Sequence, residues 1–234
     1  YGTVSSKGSK ATTDGTGGIV GLSTKRDASI LSCTNEGTVS GYRFVGGILG
    51  RVTIAAQLEG TVNKGAVSGM RDIGGIIGGT DSTSKFILNV TGATNSGTVT
   101  GTGDFIGGIV GYINSTGNVL TDCTNTGNIT GVKCVGGIIG LVNGSKTATV
   151  DNATVRDCTI SGTQSVGGWI GRIVAKATAI YKHYTAPTGV TYVLGSTETE
   201  AVAGFDTAGR TDGATAAPGE AFGTCPGTAT NVTE

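Results

Sequence analysis

The chain has 234 residues, and its 16 lysines and arginines balance 16 aspartates and glutamates, which gives no support for a general nucleic-acid or anionic-membrane surface. Glycine fills 44 positions, a composition that penalises helices throughout, and no run approaches the roughly 20 apolar residues of a membrane span. One histidine, His183, and five cysteines without a Cys-x-x-Cys pair argue against a zinc site.

Tyr1-Gly2-Thr3-Val4-Ser5 already reads as the middle of a repeat, with no initiator Met and no signal peptide before it. The chain is therefore expected to be a segment whose targeting signals lie elsewhere, with its amino edge covered by upstream residues or a partner. From Gly17 a pentapeptide returns six times: GGIVG at Gly17, GGILG at Gly46, GGIIG at Gly74, GGIVG at Gly107, GGIIG at Gly136 and GGWIG at Gly167. The copies start 28 to 33 residues apart, the signature of a linear array of one supersecondary unit. In phase with it, Val39, Val67, Val99, Ile129 and Ile160 each open a V/I-S/T-G phrase after a Thr-Asn-x-Gly-like turn.

Short β-favouring runs punctuated by Gly and Asn predict strands. Each unit shows about three runs, the third being variable, as at Asn118-Val119-Leu120 and Ala148-Thr149-Val150. We expect an all-β, right-handed parallel β-helix (β-solenoid) of about six coils, its rungs about 4.8 Å apart and its handedness set by the rule for parallel crossovers. Val39, Val67, Val99, Ile129 and Ile160 would form one inner stack, and Val45, Ile73, Ile106, Val135 and Val166 another. The alternative, antiparallel hairpins in a sandwich, predicts alternating turn chemistry rather than one turn repeated in phase.

The pentapeptide poses a parity problem, because regular alternation gives both faces of the strand a branched residue. Either a bulge at the glycine pair resets the alternation, or the Ile19, Ile48, Ile76, Ile109 and Ile138 column lies under a second layer, or it is an exposed stripe that meets a partner. Burial is the expectation, with Trp169 closing the column. Asn35, Asn63, Asn95 and Asn125 each stand two residues before a Gly, which suits a left-handed turn and an internal amide ladder between coils.

Charges also fall in register. Asp14, Arg43, Arg71, Asp104, Lys133 and Gln164 occupy one repeat position, so Asp14 and Arg43 would be neighbours, as would Arg71, Asp104 and Lys133; Glu36 and Lys64 form a similar pair at the turn. Arg43, Arg71 and Lys133 make a candidate surface binding row for an acidic glycan, interrupted by Asp104. Cys33 and Cys123 share a position that Thr61 and Ala93 fill in the coils between, so they and Cys158 of the sixth unit read as small core thiols rather than a disulfide framework, with Cys134 and Cys225 left unassigned.

Chemistry finds little purchase. A catalytic Ser-His-Asp arrangement would have to recruit His183 from Tyr181-Lys182-His183-Tyr184, which reads as a strand with polar outward positions. Asp122, Asp151 and Asp157 could approach one another, but carboxylates on a stack are more often surface residues, and the calcium-binding G-G-x-G-x-D pattern is absent. No catalytic, cofactor or metal residue is assigned. Aromatics are 5% of the chain, and Tyr42 and Tyr112 lack counterparts in neighbouring coils, so no carbohydrate platform is obvious. The six Asn-x-Ser/Thr triplets, at Asn89, Asn114, Asn128, Asn143, Asn152 and Asn231, would matter only on a glycosylating route.

After Gly171 the periodicity stops. Residues 1–171 are read as the repeat array and 172–234 as a non-repetitive cap and tail, the stretch to Leu194 keeping β-like composition.

The V-G-G-I-x-G core with its preceding V-S-G and C-T-N-x-G turn resembles the GLUG repeat of bacterial secreted and surface proteins over about residues 1–171. The resemblance implies an extracellular, non-catalytic adhesion or stalk module, part of a larger bacterial cell-surface protein of the Bacteroides adhesin-like type. No cofactor, nucleic acid or membrane insertion is expected; a host glycan or extracellular-matrix protein is the expected partner. A polysaccharide-active β-helix enzyme and a pure spacer without ligand stay open as alternatives.

Overall fold

A computed structural model describes residues 2–6, 15–26, 28–195, 197–199, 222–224 and 228–232. The described residues are all β, wound as a solenoid whose strands pair in parallel with the same segment of the coil above and below. Asp14, Cys225 and most of the sequence after Gly195 lie outside the described residues.

One coil carries more strands than the composition suggested. In the second, Thr34–Asn35, Val39–Ser40, Arg43–Gly46, Leu49–Val52 and Ala56–Glu59 follow one another, and the equivalents in other coils assemble into sheets of five, eight, six and twelve strands, the last holding both final segments. The Thr-Asn strands escape a reading by alternation because they are two residues long.

Both expected inner stacks are present. Val39 pairs with Val67, Val67 with Val99, Val99 with Ile129 and Ile129 with Ile160, while Val45, Ile73, Ile106, Val135 and Val166 form the second column. Every one of them is buried. Each such side chain contributes about 1.5–3 kcal/mol by leaving water.

The parity problem is solved by a corner. The chain bends at Gly47–Ile48 and at its equivalents, so Ile48 and Leu49 both turn into the same core, and Ile76, Ile109 and Ile138 follow. A Cβ on Gly47 would overlap the Gly75 carbonyl and the Asn63 amide, which is why the corner is built of glycine. The column is buried in four of its five isoleucines. Ile19, in the first coil, is 47% exposed because nothing described lies on its outer side. Trp169 ends the column fully buried, with the Tyr184 ring edge-on at 4.9 Å.

The asparagines face inward from the short strands, and none of the four has a positive φ, so the left-handed turn expected of them is not their reason. They form a continuous ladder instead. Asn35 Nδ2 donates to Asn63 Oδ1, Asn63 to Asn95 and Asn95 to Asn125, each at 2.8 Å, and every Nδ2 also donates to the carbonyl of the glycine two residues on. The ladder stops where Val155 replaces the asparagine, and Asn125 Nδ2 meets the Cys158 thiol at 3.7 Å.

Parallel pairing continues past Gly171. Thr178–Lys182 stacks on Thr147–Asp151, and Thr191–Leu194 on Thr159–Gly162 before an antiparallel return over Thr197–Thr199. Phe222–Thr224 and Thr228–Val232 add further parallel strands on Ile170–Ile173 and Thr178–Lys182. The solenoid course thus outlasts the repeat motif, because backbone pairing needs the strand and not the pentapeptide. No helix among the described residues is long and apolar enough to cross a membrane.

Candidate functional site

The outward faces of two neighbouring sheets meet in an inside corner that runs along the solenoid. Two local features build it. The residue before each inner Val or Ile adopts a left-handed backbone: Phe44, Asp72, Phe105, Cys134 and Ser165, with φ between 51° and 71°. Its side chain is thereby turned away from the main core. From the second coil on, the final glycine of each pentapeptide then lies on the backbone of the preceding coil, as Gly78 does on Phe44 and Val45, where a Cβ has no room.

Phe and Cys gain nothing from a left-handed backbone, which costs them roughly 1–2 kcal/mol. Packing offsets it: Phe44, Tyr112, Cys134 and Leu141 bury one another in a second, smaller core outside the first, with Phe105 and Val174 against it. Phe105 stacks on Tyr112 at 5.4 Å and Phe44 lies 6.4 Å from Tyr112. Arginines complete the seam. Arg43 and Arg51 lie over the Phe44 ring at 4.4 and 5.0 Å, and Arg71 over Phe105 at 4.8 Å.

The residues of the predicted row are here, but they are not equivalent. Arg43 and Arg71 are register partners, and both reach Asp72, which is fully buried: Arg43 Nε bonds its Oδ2, and Arg71 Nε stands 3.6 Å from the same oxygen. Asp72 Oδ1 has no hydrogen-bond partner among the described residues. Burial holds the Asp72 carboxyl above its usual range, with Arg43 and Arg71 opposing and Asp81 reinforcing that rise. Arg51 is tied separately to Asp81 at 2.6 Å.

Lys133 lies two coils beyond Arg71, with Asp104 on the coil between: Asp72 N donates to Asp104 O, and Phe105 N to Lys133 O. No ion pair links Arg71, Asp104 and Lys133 among the described residues, whereas Glu36 and Lys64 do pair, at 3.1 Å. Beside the seam a second row is wholly polar. Asn114 Nδ2 donates to Asp81 Oδ1 at 3.1 Å, and Asn143 Nδ2 to both Asn114 Oδ1 and Tyr112 Oη at 2.9 Å. Burial, then the charges of Asp72 and Asp81, push the Tyr112 phenol up and keep it a donor.

Sequence reasoning missed the seam because its two columns vary in size and charge: Phe44, Asp72, Phe105 and Cys134 on one side, Arg51, Gly79, Tyr112 and Leu141 on the other. The available signal was that Tyr112 breaks the repeat in the same phase as Arg51.

The other candidates are dispersed. Asp122 receives Asn152 Nδ2 at 2.6 Å, Asp151 meets His183 Nδ1 at 2.7 Å, and Asp157 pairs with Arg156 at 2.8 Å. Asp122 and Asp151 are linked through backbone, Asp122 N donating to Asp151 O, while Asp157 N donates to Thr188 O on another flank. His183 ends its strand in a left-handed bend at φ 45°. Cys33, Cys123, Cys134 and Cys158 are free thiols. Burial pushes Cys123 up to about 12 and Cys134 and Cys158 to about 11, which keeps them protonated at neutral pH.

Together these features define a parallel β-solenoid with one reinforced outer corner. No family model matches the chain, and neither a curated protein nor a solved structure does.

Proposed function

We propose that this chain is a non-catalytic adhesion or stalk module of a bacterial cell-surface protein, displayed outside the cell, that presents one flank of its solenoid to a host glycan or matrix protein. The reading is supported by the GLUG-like repeat of residues 1–171, and one observation carries it. In-register pairing from coil to coil lines up outward side chains in columns along the axis, and the arginine-aromatic seam is such a column held rigid by its own small core. A rod of this kind offers an extended contact strip rather than a pocket.

The test is binding of the purified chain to an array of host glycans, mucins and matrix proteins, with an unrelated β-solenoid as control. Selective, saturable binding supports adhesion. A blank array leaves the chain a spacer and removes the adhesive half of the proposal.

A further inference from the structure

The chemistry of a ligand can be read from the seam, on the adhesive reading above. Among the described residues Arg71 meets Asp72 only through Nε and rests on Phe105, which leaves its terminal nitrogens without a protein acceptor on a side chain that is 36% exposed. The guanidinium lies against the Phe105 ring and is open at its fork, the arrangement that takes a carboxylate by two parallel hydrogen bonds. Arg43, its register partner, is spent on Asp72 and Phe44. Lys133 is exposed, and its ammonium makes no hydrogen bond or ion pair among the described residues.

Spacing decides what these two cations can share. Arg71 and Lys133 stand two coils apart, roughly 9.6 Å along the axis at one strand spacing per coil. One coil rise is close to the length of one pyranose in an extended chain. The coil between carries Asp104, which repels an anion at that level. Across the seam Asn143 Oδ1 and the Tyr112 hydroxyl proton are unclaimed among the described residues, a free acceptor and a free donor suited to sugar hydroxyl or amide groups.

We propose that the seam binds an extended polysaccharide laid along the solenoid axis and carrying a carboxylate on alternate sugars. Arg71 and Lys133 take successive carboxylates, Asp104 faces the uncharged sugar between them, and Asn143 and Tyr112 bond that sugar's neutral groups. A polyanion charged at every unit meets Asp104 unfavourably. This separates the proposed ligand from a fully charged polyuronate and from nucleic acid, which the neutral overall charge also disfavours.

The test is calorimetric titration of the whole chain with hyaluronan, whose uronate alternates with a neutral sugar, against polygalacturonate, dextran and duplex DNA. Hyaluronan is expected to bind tightest, and Lys133→Gln and Arg71→Gln each to weaken it by about tenfold or more, the loss of one charged hydrogen-bond partner. Asp104→Asn is expected to narrow the preference over polygalacturonate. Because Arg71 also faces Asp72, the exposed Lys133 variant is the decisive one, read alongside an unchanged melting temperature. Equal binding by Lys133→Gln, or a wild-type preference for polygalacturonate, dextran or DNA, overturns the proposal. If hyaluronan fails while the array selects another ligand, this assignment falls and the adhesive reading stands; a blank array ends both.

Discussion

The inner core and the outer seam are built from adjacent residues of the same strands, yet they obey different rules. Val45, Ile73, Ile106 and Val135 are interchangeable aliphatics in ordinary strand geometry, each packed on the like residue of the next coil. One residue earlier, Phe44, Asp72, Phe105 and Cys134 share a left-handed backbone but set aromatic rings, a carboxylate and a thiol in one column. The inside is a lattice in which each coil repeats its neighbour. The seam is a single object assembled across coils, where an arginine of one coil finds its carboxylate in the next.

The most severe way to break the arrangement is to part the two regions at their hinge. Gly111 lies on the backbone of Ile73 and on the Gly78 carbonyl, so Gly111→Val is expected to cost more than about 4 kcal/mol and to leave little folded protein in a denaturant titration. Next comes a direct comparison of core and seam. Ile109→Ala should cost about 2–5 kcal/mol by opening a cavity in the main stack, whereas Phe105→Ala, at a half-buried site, should lose roughly 0.5–1.5 kcal/mol of ring contacts. Equal losses in urea unfolding would show that the seam is core and not accessory.

Asn95→Ala removes the acceptor of Asn63 Nδ2 and the donor to Asn125 Oδ1, both buried, and should cost about 1–3 kcal/mol. A melting temperature within error of wild type would mean that the ladder is ornamental. The smallest effect is pH-dependent. The folded-state pKa of Asp72 stands above its ordinary value, so the native state takes up this proton first. Its contribution favours folding as pH falls toward the usual carboxylate range and is lost as pH rises through the raised value. The stability of the wild type relative to Asp72→Asn should therefore improve on acidification from neutral pH, with Arg43, Arg71 and Asp81 as the charges that modulate it. A constant difference across that range would contradict the burial argument.

Much of the lattice was legible because it repeats: the stack from Val39 to Ile160, the buried isoleucine column and the asparagine ladder each follow from like residues recurring in phase, whereas the corner at Gly47 answers a parity problem that the sequence left open. The seam was not, since its contacts join unlike residues. Nothing local announces that Asp72 occupies the slot of Phe44 and Phe105, or that Arg43 and Arg71 will converge on it and Arg43 be spent there. The strands beyond Gly171 were obscured for another reason: Tyr181, Ala179 and Tyr192 keep the inward pattern while the glycine motif that flagged earlier coils is gone.

The asparagine ladder has one further implication. Every amide passes its hydrogen bond the same way, so the array is polar, and each coil both consumes and regenerates the same half-bond. A whole coil gained or lost by recombination between repeats would leave every remaining asparagine junction chemically unchanged and alter the ladder's reach by about 4.8 Å at a time. Along the ladder, length is then a variable that inheritance can tune in steps without redesigning the amide junctions.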